Sequence, residues 1–475
     1  MEMTMQMADT KPTFYVIDFV KNACSPRPDR CYSSLYRYNS PTEVRASFTP
    51  DVDSTTLSLD VCREIFLHLP AKSLFRFRAV CKAWCAVIDE PYFIRAHTNK
   101  QLSSNTSNII ILNSTGRPPF HPLYSFVLDD LKFANGLQKI AVAPLNFTPS
   151  GLSLLRAFPV STCNGLILVA GKSLEIWNPL THDRLKLLRT KCNPNPEKEA
   201  IGLGYDYTTD DYKVVVIHGH RLHRRRHGRD NFAFQTHVYS LRSDSWRNVE
   251  NCPHNDDDPS WWGPRGPGVF LCGALHWAVL NSPYGNNTII VFDIGTESYR
   301  QLQAPPLRQR DRLNDRTRYL NVLDGCLVVS DFGKADFIGD ELEHYDVWVL
   351  KDYGDKDSWI KLISFENREC EDYSIQYNSR PVAYMKDKNQ ILLQADGLGW
   401  KRGYRDSCRF YTFDVESNSM KRVSIHGLTG FLYTVFVPGT IFRLHDNCGV
   451  NGSVTTRRSR RLGKRPSNMK MSDTK

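Results

Sequence analysis

No run of 18 apolar residues occurs anywhere in the 475-residue chain, so no helical membrane span is encoded. The opening residues lack an apolar h-region and carry Glu2, Asp9 and Asp18, so no secretory signal is expected. Thirteen cysteines are present, but none forms a CxxC pair; they are scattered singly, Cys81 and Cys85 being the closest two. Free thiols in a reducing compartment follow, placing the chain in the cytoplasm, the nucleus or both. Neither GxSxG nor HExxH occurs, and Gly171-Lys172-Ser173 lacks the first glycine of a phosphate loop. Gly202-Leu203-Gly204 lacks the third glycine and the helix of a dinucleotide fingerprint, and reads as the entry to a strand. Asp256-Asp257-Asp258 lacks the glycine and closing glutamate of a calcium loop, and reads as a solvated turn. No cofactor and no metal are called for.

What is present is ordinary globular stock, 41% hydrophobic and 24% charged, in a chain long enough for two or three units of ~150 residues. The net charge of +10 is uneven. It concentrates in the last residues and in the arginines between Arg221 and Arg229, and the rest is nearly balanced. A nucleic-acid-binding domain spreads basic charge along its folded surface, so nucleic acid is disfavoured as a partner. The run Arg457, Arg458, Arg460, Arg461, Lys464, Arg465 reads as a solvated tail with the character of a nuclear-import signal. Four histidines from His218 to His227 stand among arginines without a carboxylate or cysteine. Repulsion disfavours a divalent metal, leaving an exposed basic hairpin loop between Val216 and Phe232.

Four segments are expected: a disordered leader over 1–52, a helical unit over 53–97, a β-rich unit over 98–445 and a disordered basic tail over 446–475. The leader holds one candidate strand, Phe14 to Ile17. In the helical unit Val61, Ile65 and Leu69 recur every four residues with Phe66 beside them, an apolar stripe on one helix face. Pro70 stops that helix, Ser73 is placed to cap the next, and Leu74, Phe77, Cys81, Trp84 and Ile88 continue the stripe until Pro91 ends it. The stripe is wide for so small a unit, and a partner is expected to cover part of it.

The β-rich unit repeats a phrase: an aromatic in an apolar pair, a polar turn, then a short strand. Trp177, Tyr239, Phe292, Trp348 and Phe413 anchor five copies, and Phe126 a degenerate sixth. They recur at roughly 50 to 65 residues, the scale of a four-stranded blade. Asn164-Gly165, Cys272-Gly273 and Asp324-Gly325 precede several copies, as tight turns between strands do. Five or six antiparallel blades in a ring give each a way to bury its faces.

The stretch from Leu57 to Trp84, with Glu64-Ile65, Leu69-Pro70-Ala71-Lys72-Ser73-Leu74, Arg76-Phe77-Arg78 and Val80-Cys81-Lys82-Ala83-Trp84, resembles an F-box, although Ser58 stands where the family usually has proline. Cys163-Asn164-Gly165-Leu166, Trp177-Asn178-Pro179-Leu180-Thr181, Gly204-Tyr205-Asp206 and Leu275-His276-Trp277 resemble the F-box-associated domain of plant F-box proteins. The resemblance implies an α + β multidomain chain, a three-helix F-box followed by a kelch-like β-propeller. It further implies a non-catalytic substrate receptor of an SCF ubiquitin ligase. A Skp-type adaptor, and through it a cullin, would sit on Leu57, Val61, Ile65, Leu69, Pro70, Leu74 and Trp84. Phe77, Cys81 and Ile88 are assigned to internal packing. The β-domain would hold an unidentified target protein, with Trp261, Trp262, Arg265, Arg224 and Arg225 as candidate contacts, since Trp and Arg dominate binding hot spots. An F-box protein that sequesters its partner, and a propeller enzyme with an axial metal or carboxylate site, are the alternatives.

Overall fold

The structure, a computed structural model, describes residues 58–103, the strands and adjoining turns between 108 and 437, and residues 439–444. Four helices lead: α1 (Leu59–Leu67), α2 (Ala71–Phe77), α3 (Lys82–Asp89) and α4 (Pro91–Ser103). Four helices thus stand among the described residues, where three were expected. The stripe from Leu74 to Ile88 is not one helix, because the chain turns over Arg78–Val80 and Cys81 is extended (φ −155, ψ 163). Pro91 begins a helix rather than ending one. Its missing N–H is harmless at a first helical position, and Glu90 before it is extended (φ −64, ψ 127).

Among the described residues six sheets follow, and apart from two short parallel additions every strand pair is antiparallel. Blade I takes its innermost strand, Phe431–Val437, from the far end of the chain, and continues outward through Asn108–Ser114, Leu123–Val127 and Ala143–Leu145. Blade II runs outward as Phe158–Cys163, Leu166–Ala170, Leu174–Trp177 and Arg184–Lys186. Blade III is Ala200–Asp206, Asp211–Arg224, Asp230–Ser240 and Ser245–Asn248, with Gly266–Pro267 added in parallel inside. Blade IV is Val269–Leu271, Ala274–Ala278, Thr288–Asp293 and Tyr299–Gln303. Blade V is Thr317–Leu323, Cys326–Lys334, Glu343–Leu350 and Trp359–Glu366. Blade VI is Arg380–Tyr384, Gln390–Ala395, Arg409–Asp414 and Ser419–Ile425, with Gln138–Ile140 added in parallel outside. Each innermost strand touches those of the next and previous blades, and blade VI touches blade I, so the ring is closed.

The repeat anchors map onto one position. Phe126, Trp177, Tyr239, Phe292 and Phe413 all lie on the third strand of their blades. Trp348 does too, but two residues out of register. Ile167 pairs with Trp177 and Leu275 with Phe292, whereas in blade V the equivalent Leu327 pairs with Leu350. The innermost hairpins turn on paired left-handed residues: Asn164 (φ 47) with Gly165 (φ 86), Cys272 (φ 49) with Gly273 (φ 74), Asp324 (φ 50) with Gly325 (φ 77). That is the turn whose twist suits a two-residue hairpin.

The core lies in seams between blades. Leu168, Ile176, Leu203, Val214 and Tyr239 fill the seam of blades II and III, and Val215, Trp277 and Phe292 that of III and IV. Gly202-Leu203-Gly204 sits inside a fully buried strand, where a Cβ on Gly202 would lie 2.7 Å from Leu275 Cδ2. Lys213 Nζ crosses between blades III and IV, donating to Asp206 Oδ2 (2.8 Å), Ile294 O (3.0 Å) and Glu297 Oε1 (2.9 Å). His276 Nδ1 donates to Val269 O (3.1 Å), and its Nε2 accepts from the Tyr353 hydroxyl (2.6 Å) across the seam of blades IV and V.

Candidate functional site

Ser58 starts α1, its Oγ accepting from Val61 N (3.3 Å), with Asp60 in the first turn where the helix dipole favours a carboxylate. One side of α1 buries Cys62 and Phe66. Phe66 (2% exposed), Phe77 and Trp84 form a ring trio with centroids 5.1 to 5.6 Å apart. Leu74, Val87, Ile88 and Phe93 complete the bundle core. Cys81 caps α3, its Sγ accepting from Trp84 N (3.4 Å). Arg63 pairs with Glu90 (2.7 Å) and Arg78 with Asp89.

The bundle is seated on the propeller by a strap. After the last strand, residues 439–444 run between the two. Ile441 (4% exposed) enters the helical core together with Leu180 of blade II. Thr440 Oγ1 meets Thr98 Oγ1 of α4 at 3.1 Å. Asn178 of blade II donates through Nδ2 to Thr440 O (3.2 Å) and Phe442 O (2.7 Å). Arg95 of α4 pairs with Asp210 at the inner hairpin of blade III (3.0 Å). The wide apolar stripe of the helices is thus covered in part by the chain's own C-terminal segment.

The other side is bare. The large apolar side chains exposed among the described residues are Leu59 (47%), Val61 (48%), Ile65 (47%), Val80 (60%) and Tyr92 (66%), all in the helical unit. Val61 and Ile65 stand one turn apart on the same face of α1. Pro70 is exposed at the corner between α1 and α2, and Leu69 beside it is half-buried. That corner is fixed from behind, since His97 Nε2 donates to Leu69 O (2.8 Å) and Gln101 Nε2 to the same oxygen (3.3 Å). Burial holds the His97 imidazole below the usual histidine range, against the raising effect of its bond to Leu69.

Among the sequence-stated adaptor residues, Val61, Ile65, Leu69 and Pro70 are thereby gathered on α1 and the corner after it. Leu74 is corrected: it is fully buried (0% exposed), on the face of α2 that meets the bundle core, and offers nothing to a partner. Trp84 is half-buried in the ring trio. Leu57 lies outside the described residues. Ile88 and Phe77 pack internally, but Cys81, assigned to the core, is an exposed cap. Leu59, Val80 and Tyr92 were missed. Val80 becomes exposed only because the chain turns there, which its apolar period hides.

Of the target-side candidates, Arg265 is exposed at the entry to Gly266–Pro267, and Arg224 ends the second strand of blade III. Arg225, Trp261, Trp262, the acidic run Asp256–Asp258 and the basic residues from Arg457 to Arg465 lie outside the described residues, as do the expected leader and its strand. The expected basic loop after Val216 is corrected as well. Residues 218–224 continue the strand Asp211–Arg224, and only 225–229 lie between it and Asp230–Ser240.

Residues 55–96 match the F-box domain, and residues 124–441 match the F-box associated beta propeller domain. F-box protein CPR1 of Arabidopsis thaliana is 27% identical over 388 residues, which cover 78% of this chain and 84% of the relative. The F-box/kelch-repeat protein At3g23880 of the same plant is 30% identical over 335 residues, covering 68% and 81%.

Proposed function

We propose, for a chain that belongs to the F-box proteins carrying an F-box associated β-propeller domain, that it is the substrate-recognition subunit of an SCF-type ubiquitin ligase. Its F-box captures a Skp-type adaptor through Val61, Ile65 and the Leu69-Pro70 corner, and its propeller holds the protein to be modified. The chain itself makes and breaks no bonds in this reading. It acts by proximity, since tethering raises the effective concentration of target lysines near the charged enzyme.

The observation that carries the reading is the asymmetry of the helical bundle. One side is closed by the chain's own Ile441 and Leu180, while Val61 and Ile65 remain about half exposed on the other. Fully burying a side chain of this size stabilises by ~1.5–3 kcal/mol, so the uncovered halves of these two together hold about 2 kcal/mol for a partner to collect. Co-purification of the full chain with the Skp-type adaptor tests this. The double substitution Val61→Asp, Ile65→Asp is expected to abolish capture while the unfolding midpoint stays close to wild type. Equal recovery of adaptor from both proteins would overturn the reading.

A further inference from the structure

The second strand of blade III outruns its neighbours. Its inner partner pairs with it from Asp211↔Asp206 only as far as Ile217↔Ala200. Its own pairing with Asp230–Ser240 continues from His218↔Gln235 to Arg224↔Asp230. Residues His218 to Arg224 therefore form one side of a two-stranded ribbon reaching about 20 Å past the inner strand. The ribbon is rooted firmly. Glu199, 3% exposed, pairs with His218 Nδ1, and a Cβ on Gly219 would lie 2.9 Å from the Phe234 ring, so glycine lets that ring close over the base.

The two edges of the ribbon differ. On the Asp230–Ser240 side the chain folds back, Val249 N donating to Thr236 O (3.1 Å) and Cys252 N to Phe234 O (3.0 Å). On the other side no described strand pairs with residues 218–224. An edge left unpaired among the described residues is a template for another strand. By sequence this edge holds His218, His220, Arg221, His223 and Arg224 with no carboxylate, and more arginine follows directly. The ribbon also points away from the F-box. α4 and the strap meet the propeller at Asp210 and Asn178, which lie at hairpins joining first to second and third to fourth strands. The ribbon joins second to third, and so leaves by the opposite face.

We infer that this edge is the target-docking strand: it takes an extended acidic segment of a protein by strand addition, with backbone bonds holding the segment and its negative charge matching the basic sequence of residues 218–224. The inference deepens the substrate-receptor reading by naming the chemistry of the target. A polypeptide fits better than a nucleic acid, because this run of histidine and arginine lies along a strand edge that no described strand pairs with, whereas phosphate tracking needs a basic surface.

The test uses the full chain and a fluorescein-labelled peptide of alternating Glu and Thr, long enough to span residues 218–224, read by anisotropy. Arg221→Glu with Arg224→Glu is expected to weaken binding by roughly tenfold or more, as removal of close charge pairs does. Arg457→Glu with Arg460→Glu, in the basic tail, is expected to leave it unchanged. Two further peptides, N-methylated on odd or on even residues, keep the charge and leave the protein untouched. One is expected to bind like the parent and the other about tenfold worse, since a strand pairs through alternate N–H groups. Equal behaviour of the two, loss of binding only in the tail variant, or displacement of the peptide by a single-stranded oligonucleotide of the same charge would each overturn the inference. Adaptor capture is measured on the same proteins. Retained capture by the ribbon variant shows that it is folded. Failed capture by wild type with intact peptide binding would sink the ligase reading and leave the docking strand standing.

Discussion

Replacing Ile441 by alanine should loosen the F-box from the propeller without loosening the propeller itself. Ile441 is 4% exposed and packs among Cys62, Phe66, Leu74 and Phe93, although it belongs to the strand-free segment after blade I. Truncating a buried isoleucine to alanine costs ~2–5 kcal/mol, the lower end applying where the walls can close up. The cavity here lies between two packed bodies, one of which can shift, so about 2–3 kcal/mol is expected. The other contacts of the seat are weaker. The Arg95–Asp210 pair, with side chains 49% and 39% exposed, is worth ~1 kcal/mol or less. The Thr98–Thr440 hydroxyl contact adds about 1 kcal/mol. Ile441 should therefore dominate. In amide hydrogen exchange of the full chain, Ile441→Ala is expected to speed exchange in α1 and α4 by roughly 30- to 150-fold, the factor that 2–3 kcal/mol corresponds to. Blades IV and V should exchange as in wild type. Unchanged protection of the helices would show that the bundle does not lean on the strap. Equal loss in blades IV and V would show one cooperative body with no separable seat.

Two further predictions concern the seams. Lys213→Met should destabilise the chain by about 3 kcal/mol in urea unfolding, because it removes the cation paired with the buried Asp206 (2% exposed), which keeps only its bonds from Thr208 and Thr209, and takes one of the two cations from Glu297. Desolvation pulls the Lys213 ammonium down, but its bonds to Asp206 and Glu297 outweigh that and raise it; a loss under 1 kcal/mol would refute the clasp. His276, buried and pushed down to about 4, must stay neutral to keep the chain folded. The unfolded chain takes up a proton near 6.5, so stability is full above that pH and is lost as the pH falls toward 4, by roughly 3 kcal/mol in all. Urea midpoints at pH 7.5 and 5 should show the fall, and a His276→Gln protein whose midpoint falls as much would refute this origin.

The parts of the molecule legible in the sequence are those where a residue type answers to one local constraint. Asn164-Gly165 and Asp324-Gly325 mark hairpins because a left-handed pair is hard to make otherwise. Trp177 and Phe292 mark third strands because each of these blades buries a large side chain at that position, and both are 0–1% exposed. Where two residues satisfy the same constraint, the sequence misleads. In blade V both Trp348 and Leu350 are apolar and of one parity, and aromatic character favours the wrong one. Leu350 pairs with Trp359 as Tyr239 does with Trp246 and Phe292 with Tyr299, so blade V keeps the fourth-strand aromatic and lacks the third-strand one, and Trp348 is left half-buried under Lys361 Nζ (4.9 Å).

The helical unit shows the same limit. An apolar stripe from Leu74 to Ile88 is compatible with one helix or with two folded against each other, because periodicity is blind to a turn that preserves phase. Phe77 and Trp84 decide it. Their rings are 5.5 Å apart, whereas seven residues of straight helix rise about 10 Å. Leu74 and Ile65 likewise carry the same signal in sequence, yet one is sealed and the other half exposed. Leu74 faces the bundle core, which Ile441 and Leu180 close from one side, whereas Ile65 stands on the side they leave open. The face left open for the proposed adaptor is therefore set by where residues 439–444 come to rest. A stripe that is simply wide keeps one bare side because the propeller's last strand returns beside Asn108–Ser114 and brings the strap to the other side.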